Sequence, residues 1–338
     1  MPLRQTQRRN LITDVPGLAV GNCHDAQLRS GVTCVLFERA SVASCIILGG
    51  APGGRETDAM APEMLIEGVD ALVLSGGSAF GLDAPSGVQA LLRERGRGFA
   101  VGPARVPIVP GAICFDLLNG GDKAWGRYPP YRELAYDAAR TAASEFKLGS
   151  AGAGFGATTV ALRGGLGSVS AVTSGGFTVG ALAVVNALGS PIVGDGPHFW
   201  AAPWEENAEF GGLGLPAKIT PEHRRLAWKG GPALATTLVI VATDATLSKA
   251  EAKRLAIVAG GGLARALRLS GAANDGDTVF AAATALRPRS GTPTDDLIDI
   301  GATAADCVAR AIARGVYAAD TAESGPPAWH QNFDTRSQ

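Results

Sequence analysis

The chain has 338 residues, 46% of them hydrophobic, enough to bury a large core in a single domain. Thirty Lys+Arg against 31 Asp+Glu leave a net charge of -1, so no overall field draws in nucleic acid or an anionic membrane, and the expected partner is a small, nearly neutral molecule. Five dispersed cysteines (Cys23, Cys34, Cys45, Cys114, Cys307) without a C-x-x-C pair exclude a disulfide framework, and four isolated histidines argue against a zinc site, so no metal is expected.

In chain order, the basic start MPLRQTQRRN runs into LITDVPGLAV, where Asp14 and Pro16 interrupt the apolar stretch that a signal peptide needs. No window reaches the ~18 uninterrupted apolar residues of a membrane helix, and a cytoplasmic protein is expected. Strands are predicted at 33–38 (TCVLFE), 44–50 (SCIILGG) and 71–76 (ALVLSG), then helices at 81–95 and 131–147. Strands follow at 169–176 and 178–187. A long excursion over 195–232, rich in Pro, Gly and charge, separates them from a strand at 236–244, a helix at 248–267, a strand at 278–286 and a helix at 294–314. Ser248 and Thr294 supply start signals for the last two helices. Several strands are apolar on both parities, as strands covered on both faces are. The absence of strict strand–helix alternation favours stacked sheets flanked by helices over a doubly wound sheet.

Glycine is abundant, 46 residues, clustered at GGAPGGRETD, SGGSAFGLDA, GAGFGATTVALRGGLGS and VAGGG. Such clusters mark tight turns or backbone that approaches a ligand closely. They do not make a nucleotide site: no G-x-x-x-x-G-K-[ST] occurs, and GAGFGA (152–157) lacks the third glycine and a suitably placed acid. Ser78 in GGSAFG is no nucleophile elbow, since phenylalanine stands where G-x-S-x-G needs its last glycine.

One catalytic style needs neither histidine nor cofactor. An N-terminal threonine uses its own α-amine, with a pKa near ~8, as general base for its hydroxyl. For an internal threonine the chain must first be cut before it. Thr236 opens the most strand-like run, TTLVIVATD, directly after the loop KGGPALA, so a flexible segment leads into a rigid one. Strand-initial threonines are common because β-branching suits the pleat, and alone this signal is weak. The element NDGDTVFA strengthens it, because Asp275 and Asp277 flank Gly276 and can present two carboxylates from one turn to the new ammonium.

These residues lie in a frame that resembles the L-aminopeptidase/D-esterase (DmpA-like) family, which includes β-peptidyl aminopeptidases and nylon-oligomer hydrolases. The resemblance runs from NLITDVPGLAVGN (10–22) through GGAPGGRETD, LSGGSAFGLDA, GAGFGATT, GGLGS and VGALAVVNALGS to TTLVIVATDATLSKAEAKRLA and DGDTVFA. It implies a four-layer αββα sandwich formed by one domain over 1–338. That domain would be autocleaved between Ala235 and Thr236 into a large chain, 1–235, and a small chain, 236–338, and assembled as a homo-oligomer of four or more subunits. It implies Thr236 as nucleophile, Asp275 and Asp277 as its acidic partners, and Asn186 as donor to the oxyanion. Backbone amides of Ser75, Gly76, Gly77 and Ser78 are expected in the same pocket, with Phe115 and Ile113 beside it. The substrates implied are small peptides, amino-acid amides or oligoamides, with no cofactor; 6-aminohexanoate oligomers are one alternative and an uncleaved ligand-binding protein another.

The chain also departs from the family pattern. Ala235 stands where relatives carry Asn or Gly, Phe115 where some carry a tyrosine, and Ile113 where β-aminopeptidases place a glutamate that holds a substrate amine. A lysine that certain members carry ahead of GGLGS is absent, leaving Arg163 as the cation there. Glu56 and Asp58 are read as turn residues.

Overall fold

The computed structural model describes residues 8–230, 235–289, 293–322 and 324–333. The elements are β1 (Leu18–Asp25), β2 (Ser30–Ile47), β3 (Gly54–Arg55), β4 (Val69–Ser75), α1 (Ala84–Glu94), β5 (Phe99–Val101), β6 (Ala104–Val106), β7 (Gly111–Ile113) and α2 (Tyr131–Arg140). They are followed by β8 (Gly165–Val172), β9 (Thr178–Asn186), β10 (Thr236–Ala245), α3 (Lys249–Ala266), β11 (Thr278–Arg287), α4 (Pro293–Tyr317) and α5 (Trp329–Phe333).

The strands stack in two layers joined through β2. Its first half pairs with β1 and β4, and its second half pairs antiparallel with β11. The register slips between Leu36 and Ser41, where Glu38, Arg39 and Ala40 are exposed. What reads in sequence as two strands is thus one bulged strand that bends from one sheet into the other, since bulges let a strand turn without ending. In the second sheet the order is β2, β11, β10, β9, β8, with β10 parallel to β11 and antiparallel to β9.

Three cores define four layers. Between the sheets, Leu238 and Ile240 of β10, Leu182 and Val184 of β9 and Phe280 of β11 meet Val35, Phe37, Leu72 and Leu74. The opposite parity of the same strands, Val239, Val241, Ala183, Val185 and Val279, packs on Leu255, Leu263, Val308 and Ile312 of α3 and α4. On the far side, Val32, Cys34 and Val73 face Val88, Leu92, Tyr131 and Ala135 of α1 and α2. The two-residue side-chain period therefore loads both faces of β9, β10 and β11 with apolar groups, as strands between a sheet and a helix layer require. The result is the αββα sandwich.

Two expectations are corrected here. The helix expected over 131–147 ends at Arg140, because Ala143 pairs instead with Val20 through two backbone hydrogen bonds, 2.9 and 3.0 Å. Strand β1 was not anticipated, since its Gly21 and Asn22 weaken the strand signal. Gly21 is required by packing, as a Cβ there would stand 1.8 Å from the Ala138 carbonyl oxygen of α2. The described part of the excursion, 195–230, contains one short 3-10 turn, Ala202–Trp204, and is anchored by buried Phe199 and Phe210, with Trp329 stacked on Phe199. No helix among the described residues is long and apolar enough to cross a membrane.

Candidate active site

Strand pairing decides what surrounds Thr236. It is the first residue of β10 and lies directly opposite Asn186, the last residue of β9. On the other flank Ala235 bridges to Asp275 in the turn before β11. Three segments far apart in sequence thus end at one point between the sheets. Thr236 is 3% exposed.

The peptide before Thr236 is held from two sides. The Thr236 hydroxyl donates to the Ala235 carbonyl oxygen at 2.5 Å, and the Gly276 N–H donates to the same oxygen at 2.8 Å. That carbonyl is therefore polarised by a backbone donor while the nearest hydroxyl oxygen lies against it. Gly276 must be glycine for this approach, because a Cβ on it would lie 2.5 Å from Thr236 Oγ1. The residues immediately upstream, 231–234, which carry most of the predicted flexible loop, lie outside the described residues.

The two acids have different surroundings. Asp277 accepts from the Thr237 N–H at 2.6 Å and the Gly271 N–H at 2.8 Å, so its charged form is supported by two backbone donors against the upward push of burial. Asp275 is 1% exposed, and neither of its oxygens meets a donor. Burial, and then the neighbouring Asp277 charge, raise it to about 8. The two carboxyls titrate as a coupled pair, and the lack of donors to Asp275 favours its neutral form over that of Asp277.

Asn186 is the hub of the opposite side. Its Nδ2 donates to the Phe115 carbonyl at 2.8 Å, while its Oδ1 accepts from the Thr158 N–H at 3.1 Å and from Lys229 Nζ at 3.0 Å. Donors on one side and an acceptor on the other fix which way the amide points. Lys229 also reaches the Asn186 carbonyl at 3.2 Å, and burial of its ammonium lowers it to about 8. Nothing local in WKGGP marks this lysine as part of the site, although it lies just ahead of the nucleophile candidate. Only the fold of the excursion shows that it, with Arg163, supplies positive charge at the site.

A cavity of about 230 Å³ opens behind Asn186. The glycine-rich motif forms one wall with Phe155, Gly156, Ala157 and Thr158; Phe115, Asp116, Leu118 and Asn119 form another; Arg29, Arg163 and Lys229 bring positive charge. Phe115 is thus among the residues that line the cavity. Ile113 is buried in β7 and does not line the cavity, and neither do Ser75, Gly76, Gly77 and Ser78. The expectation that amides of this motif face a ligand is corrected. Gly76 N–H donates to Gly31 O, Ser78 N–H to Cys114 O, and Gly77 N–H to Asp116 Oδ1 at 2.7 Å. Gly77 thereby holds Asp116, whose other oxygen accepts from the Ser30 hydroxyl at 2.6 Å, while Gly76 and Ser78 tie the turn to neighbouring backbone. Glu56 accepts from the Val109 N–H, and Asp58 opens a 3-10 turn, so both act as turn residues.

The frame and the ordered motifs have counterparts among known proteins. The family model described as peptidase family S58 matches residues 10–326. An uncharacterized aminopeptidase of Mycobacterium tuberculosis is 41% identical over 347 residues, covering 96% of this chain and 98% of the relative. A 6-aminohexanoate-oligomer endohydrolase of Kocuria sp. is 31% identical over 166 residues, covering 47% of this chain and 41% of that protein. The solved L-aminopeptidase D-Ala-esterase/amidase of Ochrobactrum anthropi, described as a variant of the Ntn hydrolase fold, superposes with a TM-score of 0.66 at 21% identity, over 94% of this chain and 88% of that one. With the match running nearly end to end, the chain belongs to peptidase family S58 and is a hydrolase acting on peptide bonds.

Proposed function

We propose that this peptidase matures by cutting its own chain between Ala235 and Thr236 and then works as an N-terminal threonine hydrolase of small peptides, amino-acid amides or oligoamides. The observation that carries the reading is the Ala235 carbonyl, clasped between the Thr236 hydroxyl and the Gly276 N–H. Attack by Oγ1 on that carbonyl carbon transfers the acyl group from nitrogen to oxygen, and the hydroxyl proton passes to the departing nitrogen. Water then opens the ester, leaving a carboxylate on Ala235 and a free amine on Thr236. The unpartnered Asp275 carboxyl lies beside the bridged Ala235 and is placed to receive that ammonium, so the cut itself creates the missing donor.

In turnover the freed α-amine takes the Thr236 hydroxyl proton as Oγ1 attacks a substrate carbonyl, and returns it to the leaving amine. Asn186 stands opposite with a second amide hydrogen beyond the one given to Phe115, and a preorganised donor at an oxyanion contributes about 3 kcal/mol in comparable sites. Lys229 holds Asn186 in place and keeps positive charge near the developing oxyanion. The partial likeness to 6-aminohexanoate-oligomer endohydrolases favours oligoamides as a second substrate reading. The proposal includes a homo-oligomer working in the cytoplasm; exposed Ile257, Val258 and Ile298 on the outer helices support association.

Intact mass of the purified protein tests the central step. Two fragments meeting at Ala235/Thr236, abolished in Thr236→Ala and restored in Thr236→Ser, are expected. A single full-length mass in an active preparation would sink the reading, as would cleavage that persists in Thr236→Ala.

A further inference from the structure

The cavity behind Asn186 has an unbalanced charge. Arg163 is only 6% exposed, its Nε is buried without any partner, and its Nη2 is met by the Phe155 carbonyl at 3.0 Å and the Ser150 hydroxyl at 3.5 Å. No carboxylate among the described residues lies within ion-pair distance of it, although the Asp320 charge acts on it from further off. Arg29 also lacks an ion pair among the described residues and turns its fork to the Ser324 hydroxyl and carbonyl at 2.7 and 2.8 Å. Lys229 completes the set from the far side, on Asn186.

Asp116 is the one acid among the lining residues, and it is already taken by Ser30 and Gly77. Removing a guanidinium from water without a compensating anion is costly, and a bound ligand anion would offset that cost. Arginine is suited to this, since its planar fork grips a carboxylate by two parallel hydrogen bonds. A substrate ammonium, by contrast, would meet three cations among the described lining residues, whose acid, Asp116, is already engaged.

We propose that the substrate is an amide bearing a carboxylate, which Arg163 and Arg29 bind in this cavity while the scissile carbonyl lies between Thr236 and Asn186. The proposal rests on the hydrolase reading above and names its substrate class. It also accounts for apolar Ile113 lying buried outside the cavity, where no side chain is needed to receive an amine.

The test uses processed enzyme, verified by intact mass, so that failure of maturation is seen separately from failure of recognition. Glutaryl-p-nitroanilide is compared with pentanoyl-p-nitroanilide, which has the same chain length without the charge. Pentanoyl 4-aminobenzoate, compared with pentanoyl anilide, places the carboxylate on the leaving half instead. A preference of at least ~10-fold in kcat/KM for the charged member of either pair is expected, the range of a hydrogen bond to a charged group. Arg163→Met and Arg29→Gln should each pull that ratio toward one, while Arg163→Lys keeps part of it. If Arg163→Met fails to fold, Arg29→Gln and competitive inhibition of the wild type by glutarate but not glutaramide read the same contact. Equal rates within both pairs, a preference for the neutral members, or a ratio that survives both arginine substitutions would overturn the proposal.

Discussion

Asp277 receives N–H donors from Thr237 and Gly271, whereas the oxygens of Asp275 receive none. The difference has a pH signature. In the uncleaved Thr236→Ala protein, Asp275 stays protonated in the fold up to about 8 but ionises from its ordinary value of 3.8 once unfolded. Its contribution is therefore full below about pH 4 and is lost as the pH rises through 8, because over that window unfolding releases a proton. Adding Asp275→Asn should leave a melting-temperature gap that grows by a few degrees in favour of the double variant between pH 4 and 8. Calorimetry across that range checks it, and a gap independent of pH would refute the assignment. At Gly276, alanine would push a Cβ against Thr236 Oγ1, and processing is expected to slow at least tenfold in a time course followed by mass. Lys229→Met should lower kcat/KM about 10-fold or more. Because Lys229 is charged only below about 8, the loss of its charge is expected to lower wild-type kcat/KM as the pH rises through that value, and the Met variant should lack that component of the pH profile. At this scale Thr236, Asp275 and Asp277 stand out in sequence because they lie where a turn meets a strand, whereas Asn186 is named only through the family resemblance. Arg29 and Lys229 do not stand out, since nothing local in their segments says where a long side chain will reach.

The strands that carry the site are held by burial on both faces. Ile240, in the middle of β10, lies fully buried between the sheets, and Ile240→Ala should cost about 2–5 kcal/mol through lost contacts and the cavity left behind, measurable by denaturant unfolding. Helix α3 starts with a capping box in which the Ser248 hydroxyl accepts from the Glu251 N–H while Glu251 accepts from the Ser248 N–H. Ser248→Ala should remove about 1 kcal/mol by the same measurement. This cap was readable in sequence, as was β10, because the signals are local. The union of two predicted strands into β2, and the early end of α2, were not. In both places a partner strand competes with local preference: β11 and β4 claim opposite ends of β2, and Val20 claims Ala143.

Across the whole molecule, the proposed cut at 235/236 leaves a small chain whose first strand is the centre of a sheet. β10 lies between β9 of the large chain and β11 of the small one, and β11 in turn pairs with β2 of the large chain. The fragments should therefore co-elute in native size exclusion and separate only in denaturant; separation in native buffer would contradict this arrangement. By itself, the sequence determined stacked sheets flanked by helices, the family frame with the four-layer sandwich it implies, and the nucleophile candidate, because apolar period, turn residues and ordered motifs are properties of short segments. Only the tertiary structure decided which peptide N–H holds the Ala235 carbonyl, which carboxyl lacks a donor, and that Arg29, Arg163 and Lys229 converge on one cavity. Those facts arise from strand register and from a long excursion folding back, and such contacts join residues whose separation along the chain carries no local signal.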